Sequence, residues 1–598
     1  MKLLTILLLA LSFPVFGTTY YVKNGGDNGA AGTSDGTAWA TISKVNSVSF
    51  SAGDTIKFNR GDSWREYIAL SCRSGTSGGR VVYTSYGTGA KPIIYGSKLE
   101  NSTGDWVDQG DNLWRNSDSE FDVEVCNLIF NNEESAGKRE FNIDNVTLQG
   151  EWIYDFTNDW ITVYSVSNPA TFYSNIEVVL KQSSALVAIG TGYVTIDGLD
   201  LRYGGRHGIA TNGGSNVTIK NCEIRYMGGA ITTGTTRIGN GIEFYASASN
   251  IIIENNHISQ SLDEAITLQS FGSSALTVSN IRVQNNIMVR NDFGFSIYYP
   301  GHTGTINGIY FEHNTGYQQG KGWSHSQKFG NLRGSSVYVA SLATMTVSNV
   351  YFRNNIFSDD LYFAVGSELN PASLTYSIID WDYNIYDNAV AFRIAFIGQS
   401  QTLAQWQTYS SEDANSLNSD PDFVNASADS FQLVLGSPAI GAGVGVGVSY
   451  DYDGNLRADP PSIGAYEYDA EEPPPPPPIL PNLSAVSIFD LTINSVRFYA
   501  SVTDDGEAEV TVRGFCYSTS INPTTAGAKT ENGTGTGAFE ATVSGLDSGT
   551  KYYVRGYATN SVGTAYSSNT SFTTYSTGTR SFVSGGKRVI HNNKRVIK

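Results

Sequence analysis

Four carboxylates follow one another in the middle of the chain: Glu243, Asp263, Glu264 and Asp292. Two carboxyl groups held about 5–9.5 Å apart can cleave a glycosidic bond, one as general acid and the other as base or nucleophile. Repulsion between neighbouring carboxylates raises the pKa of one of them, which a general acid requires. The same residues could instead bind Ca²⁺ through their oxygens or form a solvated edge. All three interpretations stay open at this point.

Basic and aromatic residues follow the carboxylates in the sequence. One long segment contains Trp323, His325 and Lys328, and a shorter one contains Tyr298 and His302. We predict that these segments are loops beside the carboxylates, where an aromatic ring stacks on a sugar and His or Lys transfers a proton. A single His is more often an ordinary surface residue, so the prediction depends on their gathering on one side of the molecule.

An internal repeat must position these residues. Short alternating segments, each ending in an Asn-containing turn, return at intervals of roughly thirty to forty residues, which is typical of a β-solenoid with variable loops. The segments are NVTIKNCEI from Asn216, NIIIENNHI from Asn250, NIRVQNNIM from Asn280, GIYFEHNTG from Gly308 and NVYFRNNIF from Asn349. Because a coil buries its inward side chains only against its neighbours, the repeats predict a rod.

The turns align one column of the repeat. This column contains Cys222, Asn256, Asn286, Asn314 and Asn355. Stacked Asn side chains can join each coil to the next through their amides. We therefore predict a structural Asn ladder, headed by a core Cys222, and no part in an active site.

A second strand follows each turn, and its side chains alternate between the two faces of a sheet. The residues predicted to point inward are Ile242, Phe244, Ile266, Leu268, Phe295 and Ile297. The residues predicted to point outward, in two columns, are Glu243, Tyr245, Thr267, Gln269, Ser296 and Tyr298. Coils stack about 4.8 Å apart, so these columns form one surface patch. A register error of one residue would exchange the two faces.

A corner precedes these strands, and its residues are also predicted to face the patch. They are Arg206, His207, Gly239, Asn240, Asp263, Glu264, Asp292 and Phe293. The four carboxylates thus fall within three consecutive coils. We expect Arg206, His207, Tyr245, Gln269, Tyr298, His302 and Trp323 to bind the substrate.

Composition and charge exclude several classes. The chain of 598 residues has a net charge of −18 and only 16% charged residues. This charge argues against a nucleic-acid partner, which requires a basic surface. The four cysteines, Cys72, Cys126, Cys222 and Cys516, are scattered and predict neither a zinc site nor a disulfide framework.

The beginning of the chain predicts export. A lysine, a short apolar run and small residues near Gly17 are typical of a cleavable signal peptide over residues 1–17. No later segment is apolar enough to span a membrane. We therefore expect a secreted or cell-surface protein.

The rest of the sequence divides into segments. We predict a parallel β-helix over 18–418, with a β insertion near 100–185, and a closing segment over 419–468. Six prolines mark a linker over 469–481. An alternating segment over 482–574 predicts a small β-sandwich, and 575–598 form a basic tail. The fold class is therefore all-β, a right-handed parallel β-helix followed by a sandwich.

Three resemblances extend these predictions. The repeats and the opening TYYVKNGGDNGAAGTSDGTAWATI, from Thr19, resemble right-handed β-helix proteins of the pectate-lyase-like class, many of them secreted enzymes. IDGLDLRYGGRHGI, from Ile196, resembles secreted β-helix proteins of Bacteroidetes. LDSGTKYYVRGYATNSVGTA, from Leu546, resembles the fibronectin type III signature, with Tyr552 at the tyrosine corner.

One further resemblance concerns chemistry. Asn240-Gly241-Ile242-Glu243 looks like the NGxE motif of lyases similar to chondroitinase B and alginate lyase, where it helps to bind Ca²⁺. Those lyases also use a KSxxN lysine and a later RxHG arginine. Here no KSxxN follows, and the RHG at Arg206 precedes NGIE. The complete motifs of pectin-type β-helix hydrolases are absent as well.

Three functions remain. The first is hydrolysis of an extracellular polysaccharide by Glu243 and Asp263, with Asp292 or Glu264 as substitutes. The second is elimination on a uronate, in which Glu243 and Asp263 hold Ca²⁺ and Lys328, Arg206 or His325 abstracts the proton. The third is a non-catalytic adhesin or a phage tailspike-like fibre, attached to a cell surface or virion through its C-terminal region.

Overall fold

A computed structural model of the chain describes residues 17–70, 75–190, 192–327, 334–340, 342, 344–367, 379–387, 392–394, 399–468, 479–576, 582–584 and 587–589. Nearly all of the predicted signal peptide, Cys72, Lys328 and most of the proline linker lie outside these residues. The chain divides into two compact units, Met1–Ala470 and Glu471–Lys598.

Three long sheets build the first unit. Within the described ranges, sheet A consists of Thr19–Val22, Thr55–Asn59, Val81–Tyr86, Gly192–Asp197, Ser215–Lys220, Ala248–Glu254, Ala275–Gln284, Thr303–Glu312, Met345–Arg353 and Ile379–Asp382. Sheet B consists of Ser63–Trp64, Ile93–Tyr95, Asp200–Arg202, Glu223–Arg225, His257–Ser259, Ile287–Val289, Thr315–Tyr317, Ile356–Ser358 and Ile385–Asp387. Sheet C consists of Ile68–Leu70, Ala185–Ile189, His207–Asn212, Ile242–Tyr245, Glu264–Gln269, Phe293–Tyr298, Ser335–Ala340, Val365–Ser367, Phe392–Ile394 and Gln399–Gln401.

Successive coils contribute one strand to each sheet, and neighbouring strands are parallel, except for the last pair of sheet C. This arrangement is a parallel β-helix, as predicted. The alternating apolar residues of all three sheets form one continuous core, for example Ile251, Ile258 and Ile266, which are fully buried. The α-helices of this unit are Ile42–Ser47, Pro169–Phe172, Trp323–Gln327 and Leu403–Ser410. Its short 3₁₀ helices are Asp35–Thr37, Thr103–Asp105, Ser119–Asp122, Ile143–Asn145 and Ala426–Ala428.

The β insertion interrupts the early coils. One of its sheets contains Ser97–Leu99, Val125–Phe130, Ser135–Ala136 and Ile176–Leu180. The other contains Val107–Asp108, Leu113–Asn116, Lys138–Arg139, Glu151–Asp155 and Trp160–Tyr164. The hairpin Ala230–Thr233/Thr236–Ile238 leaves the rod and meets the insertion, since the backbone N–H of Ile231 donates to Glu124 at 3.0 Å.

The predicted Asn ladder is confirmed. Asn286 Oδ1 accepts from the Asn256 Nδ2 at 2.9 Å, and Asn286 Nδ2 donates to Asn314 Oδ1 at 3.0 Å. The ladder continues through Asn355 to Asn384, which the repeat alignment missed. In each turn the preceding residue has a left-handed backbone, with φ of 54° at Asn255. Asn tolerates this conformation better than most residues, which explains the Asn-Asn pairs.

A closing segment runs back along the rod and includes the strands Phe423–Asn425 and Ser430–Leu433. The Oδ1 atom of Asn354 accepts a hydrogen bond from the Val444 N–H at 2.9 Å, and its Nδ2 donates to the Val444 carbonyl oxygen at 2.7 Å. Arg457 donates to Asn285 Oδ1 at 2.8 Å. The segment therefore contacts successive coils.

The second unit is a small sandwich. One sheet contains Asn482–Leu483, Ser487–Phe489, Ser495–Asp504 and Gly537–Ser544, and the other contains Val512–Ser518, Lys551–Thr559, Thr564–Tyr566 and Thr570–Thr573. Side chains from both sheets, such as Phe498 and Val554, form its core. The Tyr552 hydroxyl accepts from the Asp547 N–H at 3.1 Å, the contact expected of a tyrosine corner. The fibronectin type III resemblance stays a prediction. In the tail, Phe582–Ser584 pairs with Lys587–Val589.

The described cysteines, Cys126, Cys222 and Cys516, are buried free thiols. Cys222 lies in the rod core, as predicted. Among the residues that the structure describes, we find no helix whose length and hydropathy suit a membrane crossing.

Candidate active site

The predicted outward columns of sheet C are confirmed in register. Glu243 pairs with Thr267, which pairs with Ser296. In the second column Tyr245 pairs with Gln269, which pairs with Tyr298. The predicted inward residues of these strands are at most 1% exposed. The strands are therefore aligned as the sequence indicates.

Glu243 is held by three neighbouring side chains. Its Oε2 lies 2.7 Å from His207 Nε2 and 3.5 Å from Asn240 Nδ2. Its Oε1 accepts from Gln269 Nε2 at 3.2 Å. The side chains of Glu243 and His207 are each 8% exposed. The carboxylate is therefore buried, and both of its oxygens are engaged.

The tautomer of His207 follows from its second contact. Its Nδ1 lies 3.2 Å from the backbone nitrogen of Asn240, which can only donate. Nδ1 must therefore be the unprotonated acceptor, and the single ring proton lies on Nε2, facing Glu243. In this arrangement His207 positions Glu243 and has no free ring nitrogen for proton transfer.

The pKa of Glu243 reflects these contacts. Burial raises the pKa of the carboxyl group. The Nε2–H of His207 attracts the carboxylate and donates a hydrogen bond to it, and together with the bonds from Gln269 and Asn240 it holds the pKa below the ordinary value of 4.5. Glu243 is consequently ionised at neutral pH. An ionised carboxylate can act as a base or nucleophile, whereas a general acid would have to be a different residue.

The two outward columns differ in exposure. Thr267 and Ser296, which continue the Glu243 column, are fully buried and share a hydrogen bond of 2.6 Å between their hydroxyls. Tyr245, Gln269 and Tyr298 are half-buried. The accessible part of the predicted patch is therefore the second column.

The loop after Gln269 adds an aromatic residue that the column analysis missed. Phe271 is 60% exposed, and its ring lies 5.5 Å from the ring of Tyr298, edge to face. Its backbone N–H donates to the Tyr245 hydroxyl at 3.1 Å. An exposed Phe beside two tyrosines suits a sugar face. Only its position directly after the strand could have suggested this role.

The other carboxylates lie at the corner before sheet C. The Asp292 N–H donates to the Asp263 carbonyl at 3.0 Å, so the two occupy successive coils. Asp263 Oδ2 accepts from the Gly239 N–H at 3.1 Å. Asp292 is only 1% exposed, whereas Asp263 and Glu264 are half-buried.

Glu264 is connected to Glu243 through Asn240. The Glu264 N–H donates to Asn240 Oδ1 at 3.1 Å, and Asn240 Nδ2 contacts Glu243. Glu264 precedes Thr267, the partner of Glu243, by three residues, or about 10 Å along the strand. Glu243 and the corner carboxylates are thus neighbours but not a directly bonded pair.

The predicted loop residues take different positions. Trp323 begins a helix, Trp323–Gln327, so the prediction of a loop here is wrong. Its indole is 8% exposed and packs with Cys126, Ile129 and Tyr203. His325 is exposed, and Lys328 lies outside the described residues.

His302 and Arg206 are likewise occupied by local contacts. His302 is 2% exposed, and its Nδ1 lies 2.9 Å from the Ser274 carbonyl oxygen. Arg206 is half-buried and donates to the Ser183 carbonyl at 2.6 Å. The structure therefore brings His207 and Gln269 to Glu243, and it does not bring Trp323 or His302 there.

Two buried arginines near the corner were missed. Arg139 of the insertion pairs with Glu124 at 2.8 Å, and Arg237 of the hairpin donates to Gln327 Oε1 at 3.2 Å. Burial and the positive charge of Arg139 lower the pKa of Arg237 to about 10, although the negative charge of Asp263 acts to raise it. A guanidinium thus acts on Asp263 from an element that the repeat pattern does not include.

The geometry does not suit Ca²⁺ at Glu243 and Asp263. Across the described part of the chain, no three His, Cys, Asp or Glu side chains gather as a metal-binding group. Ca²⁺ requires six to eight oxygen ligands, so these residues do not fit it.

Comparisons with known proteins bear on the fold. Residues 161–357 match the family model described as "Right handed beta helix region". Together with the parallel sheets, this match makes the rod a right-handed parallel β-helix. No curated protein is significantly similar in sequence.

Several solved structures are similar. The native GH136 lacto-N-biosidase from Eubacterium ramulus is 13% identical, with 62% of this chain and 63% of that chain covered and a TM-score of 0.28. The family 28 exopolygalacturonase of Yersinia enterocolitica is 13% identical, with 63% and 66% covered and a TM-score of 0.31. This chain therefore spans less than two thirds of either enzyme. The fibronectin type-III domain of human fibronectin type III domain containing protein 3 is 20% identical, covers 18% of this chain and 93% of its own, and has a TM-score of 0.13.

Proposed function

We propose that this chain is an exported enzyme that hydrolyses a polysaccharide, with Glu243 as its ionised catalytic carboxylate. The observation that carries the proposal is the set of donors on Glu243. His207, Gln269 and Asn240 hold a buried carboxylate in its charged form on the outer face of sheet C. Such a group is suited to activate water or to attack a sugar carbon.

The general acid comes from the adjacent corner. Asp263 and Glu264 are half-buried and one coil away from Glu243, so either can reach a glycosidic oxygen at the edge of the patch. Asp292 is less accessible.

The second column binds the sugar. Tyr245, Tyr298 and Phe271 offer apolar edges and faces, and Gln269 offers an amide beside Glu243. Aromatic rings with a few fixed polar groups are the usual lining of a sugar site. The C-terminal unit and tail then serve attachment to a cell surface or virion.

The test uses purified full-length protein on a panel of neutral and uronate polysaccharides. Reducing ends and the ultraviolet absorbance of unsaturated uronate are followed together, with and without EDTA. The variant is Glu243→Gln. The matched control is Glu254→Gln, because Glu254 is a half-buried glutamate of sheet A that also bonds a glutamine amide, at 2.9 Å.

Hydrolysis predicts new reducing ends without the absorbance, a loss of activity in Glu243→Gln and no loss in Glu254→Gln. An absorbance increase that EDTA abolishes would show that the protein is a Ca²⁺-dependent lyase and not a hydrolase. The catalytic groups would then be basic residues. Binding without any cleavage, unchanged in Glu243→Gln, would replace the enzyme by an adhesin.

A further inference from the structure

A second polar pocket lies on sheet A, away from the face that carries Glu243. It is an open cavity of about 260 Å³. Its lining consists of Arg282, Tyr310, Glu312, Tyr351, Arg353 and Val446. Five of these six residues come from three consecutive strands, so the coil repeat itself builds the pocket.

The strand register places these side chains in two columns. Arg282, Tyr310 and Tyr351 are paired in succession, and Glu312 is paired with Arg353 in the adjacent column. The rings of Tyr310 and Tyr351 are stacked, with centroids 5.4 Å apart and 16° between their planes. The Arg282 guanidinium lies 4.5 Å from the Tyr310 ring centre. Because the rings are stacked on each other, they present their edges and hydroxyls to a ligand.

The two guanidinium groups are not equivalent. Arg353 is fixed by Asp380, with contacts of 2.9 and 2.6 Å to the two carboxylate oxygens. Arg282 rests on Tyr310 and forms no salt bridge with any residue that the structure describes. Arg282 therefore retains donors for an anion, in a protein whose net charge is −18.

Glu312 is an unusual member of this pocket. It is 3% exposed, and its Oε2 has no hydrogen-bond partner among the described residues. Burial raises the pKa of Glu312 to about 7, although Arg282 and Arg353 both act to lower it. A buried polar atom without a partner is costly, so this oxygen is available to a ligand.

The closing segment completes one edge of the pocket. Val446 follows Val444, whose backbone N–H and carbonyl are both bonded to the side chain of Asn354. Asn354 directly follows Arg353 in the same coil. The apolar edge is therefore fixed to the coil that supplies Tyr351 and Arg353.

We propose that this pocket binds the carboxylate of an acidic sugar residue, with Arg282 as the cationic donor and, beside it, the buried Oε2 of Glu312, which is unpartnered among the described residues. In its neutral form Glu312 donates the second hydrogen bond. The Tyr310 hydroxyl and the Val446 edge face the rest of the ring. A free guanidinium next to a carboxyl donor recognises a carboxylate rather than a neutral hydroxyl group. The cavity is slightly smaller than the usual 300–1,000 Å³ of small-molecule sites, which suits a single ring.

The inference that the ligand is a sugar rests on the proposed function. The inference that the ligand carries a carboxylate rests on the pocket residues alone. The pocket lies on a different sheet from Glu243, so it holds a part of the polymer that is not being cleaved.

The experiment measures binding to the full-length protein by calorimetry. The probes are trigalacturonate, the same trisaccharide with its carboxyl groups methyl-esterified, and acetate. The variants are Arg282→Gln, Glu312→Gln and Glu312→Ala. The control is Lys220→Gln, which makes the same change of charge on a half-buried residue of sheet A, three strands away from Glu312 in the same column.

We expect trigalacturonate to bind and the ester and acetate to bind at least about tenfold more weakly. Loss of a hydrogen bond to a charged group should weaken binding about ten- to a hundredfold in Arg282→Gln. Glu312→Gln retains a donor and should bind, whereas Glu312→Ala should not. Lys220→Gln should bind as the parent does, and melting curves confirm that every variant is folded.

Three results would overturn the proposal: no binding of trigalacturonate, equal binding of the ester or acetate, or unchanged binding in Arg282→Gln. The same titration in Glu243→Gln separates the two proposals. If trigalacturonate still binds but the parent protein cleaves no substrate, the proposed hydrolase is wrong and the proposed pocket is supported. Cleavage without binding at sheet A defeats the pocket alone.

Discussion

Two buried glutamates on two faces of the same rod have opposite pKa shifts. Glu243 on sheet C is 6% exposed and Glu312 on sheet A is 3% exposed. Yet the pKa of Glu243 lies below its ordinary value, and that of Glu312 is raised to about 7. Since burial is nearly equal, the partners must make the difference.

The partners differ in how directly they contact the carboxyl group. Glu243 accepts hydrogen bonds from His207 and Gln269, whereas Oε2 of Glu312 accepts none from the described residues. Glu312 has two guanidinium groups nearby, but they act through space. Direct contact with His207, together with the bonds from Gln269 and Asn240, thus offsets burial at Glu243, whereas the two guanidinium groups near Glu312 do not.

The largest expected effect concerns Asn286, a buried neutral side chain whose amide is fully hydrogen-bonded. Asn286→Ala leaves the Asn256 amide and the Ile253 carbonyl without their partners, so we expect the free energy of unfolding to fall by about 3–5 kcal/mol. Thermal melting at pH 7 measures it. Asn307→Ala is the control, because its bonds from Asn349 and Ser348 are exposed and their loss should cost less than about 0.5 kcal/mol. Equal losses of stability in the two variants would show that the burial of these hydrogen bonds does not affect their contribution to stability.

The next effect concerns Glu312. The unfolded carboxyl loses its proton near pH 4.5 and the folded one near pH 7, so the folded state binds more protons between these values. Stability should therefore fall as pH rises through this window, by about 3 kcal/mol. Glu312→Gln should abolish this loss and be more stable than the parent at pH 8. Melting curves from pH 4 to pH 8 test it, and parallel pH dependences would refute it.

The smallest effect concerns His207. His207→Ala removes the shortest contact of Glu243, so its pKa should rise and unfolding should become easier by about 2 kcal/mol at pH 7. The lowered pKa of Glu243 stabilises the fold above pH 4.5, and this contribution is lost as pH falls, so the difference should narrow in acid. In a cleavage assay, the acid limb of the pH profile should move to higher pH. Unchanged melting and an unchanged profile would make the contact unimportant.

The coil pattern was predictable because it is local. Alternation placed Ile242 and Phe244 inward, and the Asn-Asn turns placed the ladder. The repeat pattern did not predict Asn384 as part of the ladder, because the preceding residue is Tyr383, where other coils have Asn or His. Tyr383 nevertheless has the same left-handed backbone, with φ of 56°. The position of the insertion was not predictable, since the contact of Arg139 with the Gly229 carbonyl joins residues 90 positions apart.

The site was predictable only in part. Column counting brought Glu243 and Gln269 to the same face, as the structure has them. The contact of His207 with Glu243 crosses diagonally between coils, and its tautomer depends on a backbone N–H that no sequence pattern records. The burial of Trp323 depends on the insertion, which covers it from a distant part of the chain.

The closing segment changes how the rod should fold and unfold. A bare stack of coils can fray from its ends, because each coil depends only on its neighbours. Here Arg457 is bonded to Asn285 across 172 positions, and Asn354 holds Val444 across 90. These long-range contacts can close only when the coils between them have formed, so we expect the segment to dock last and to couple distant coils into one cooperative unit. The sheet A pocket acquires its Val446 edge only at this final step, so its formation reports that the rod is complete.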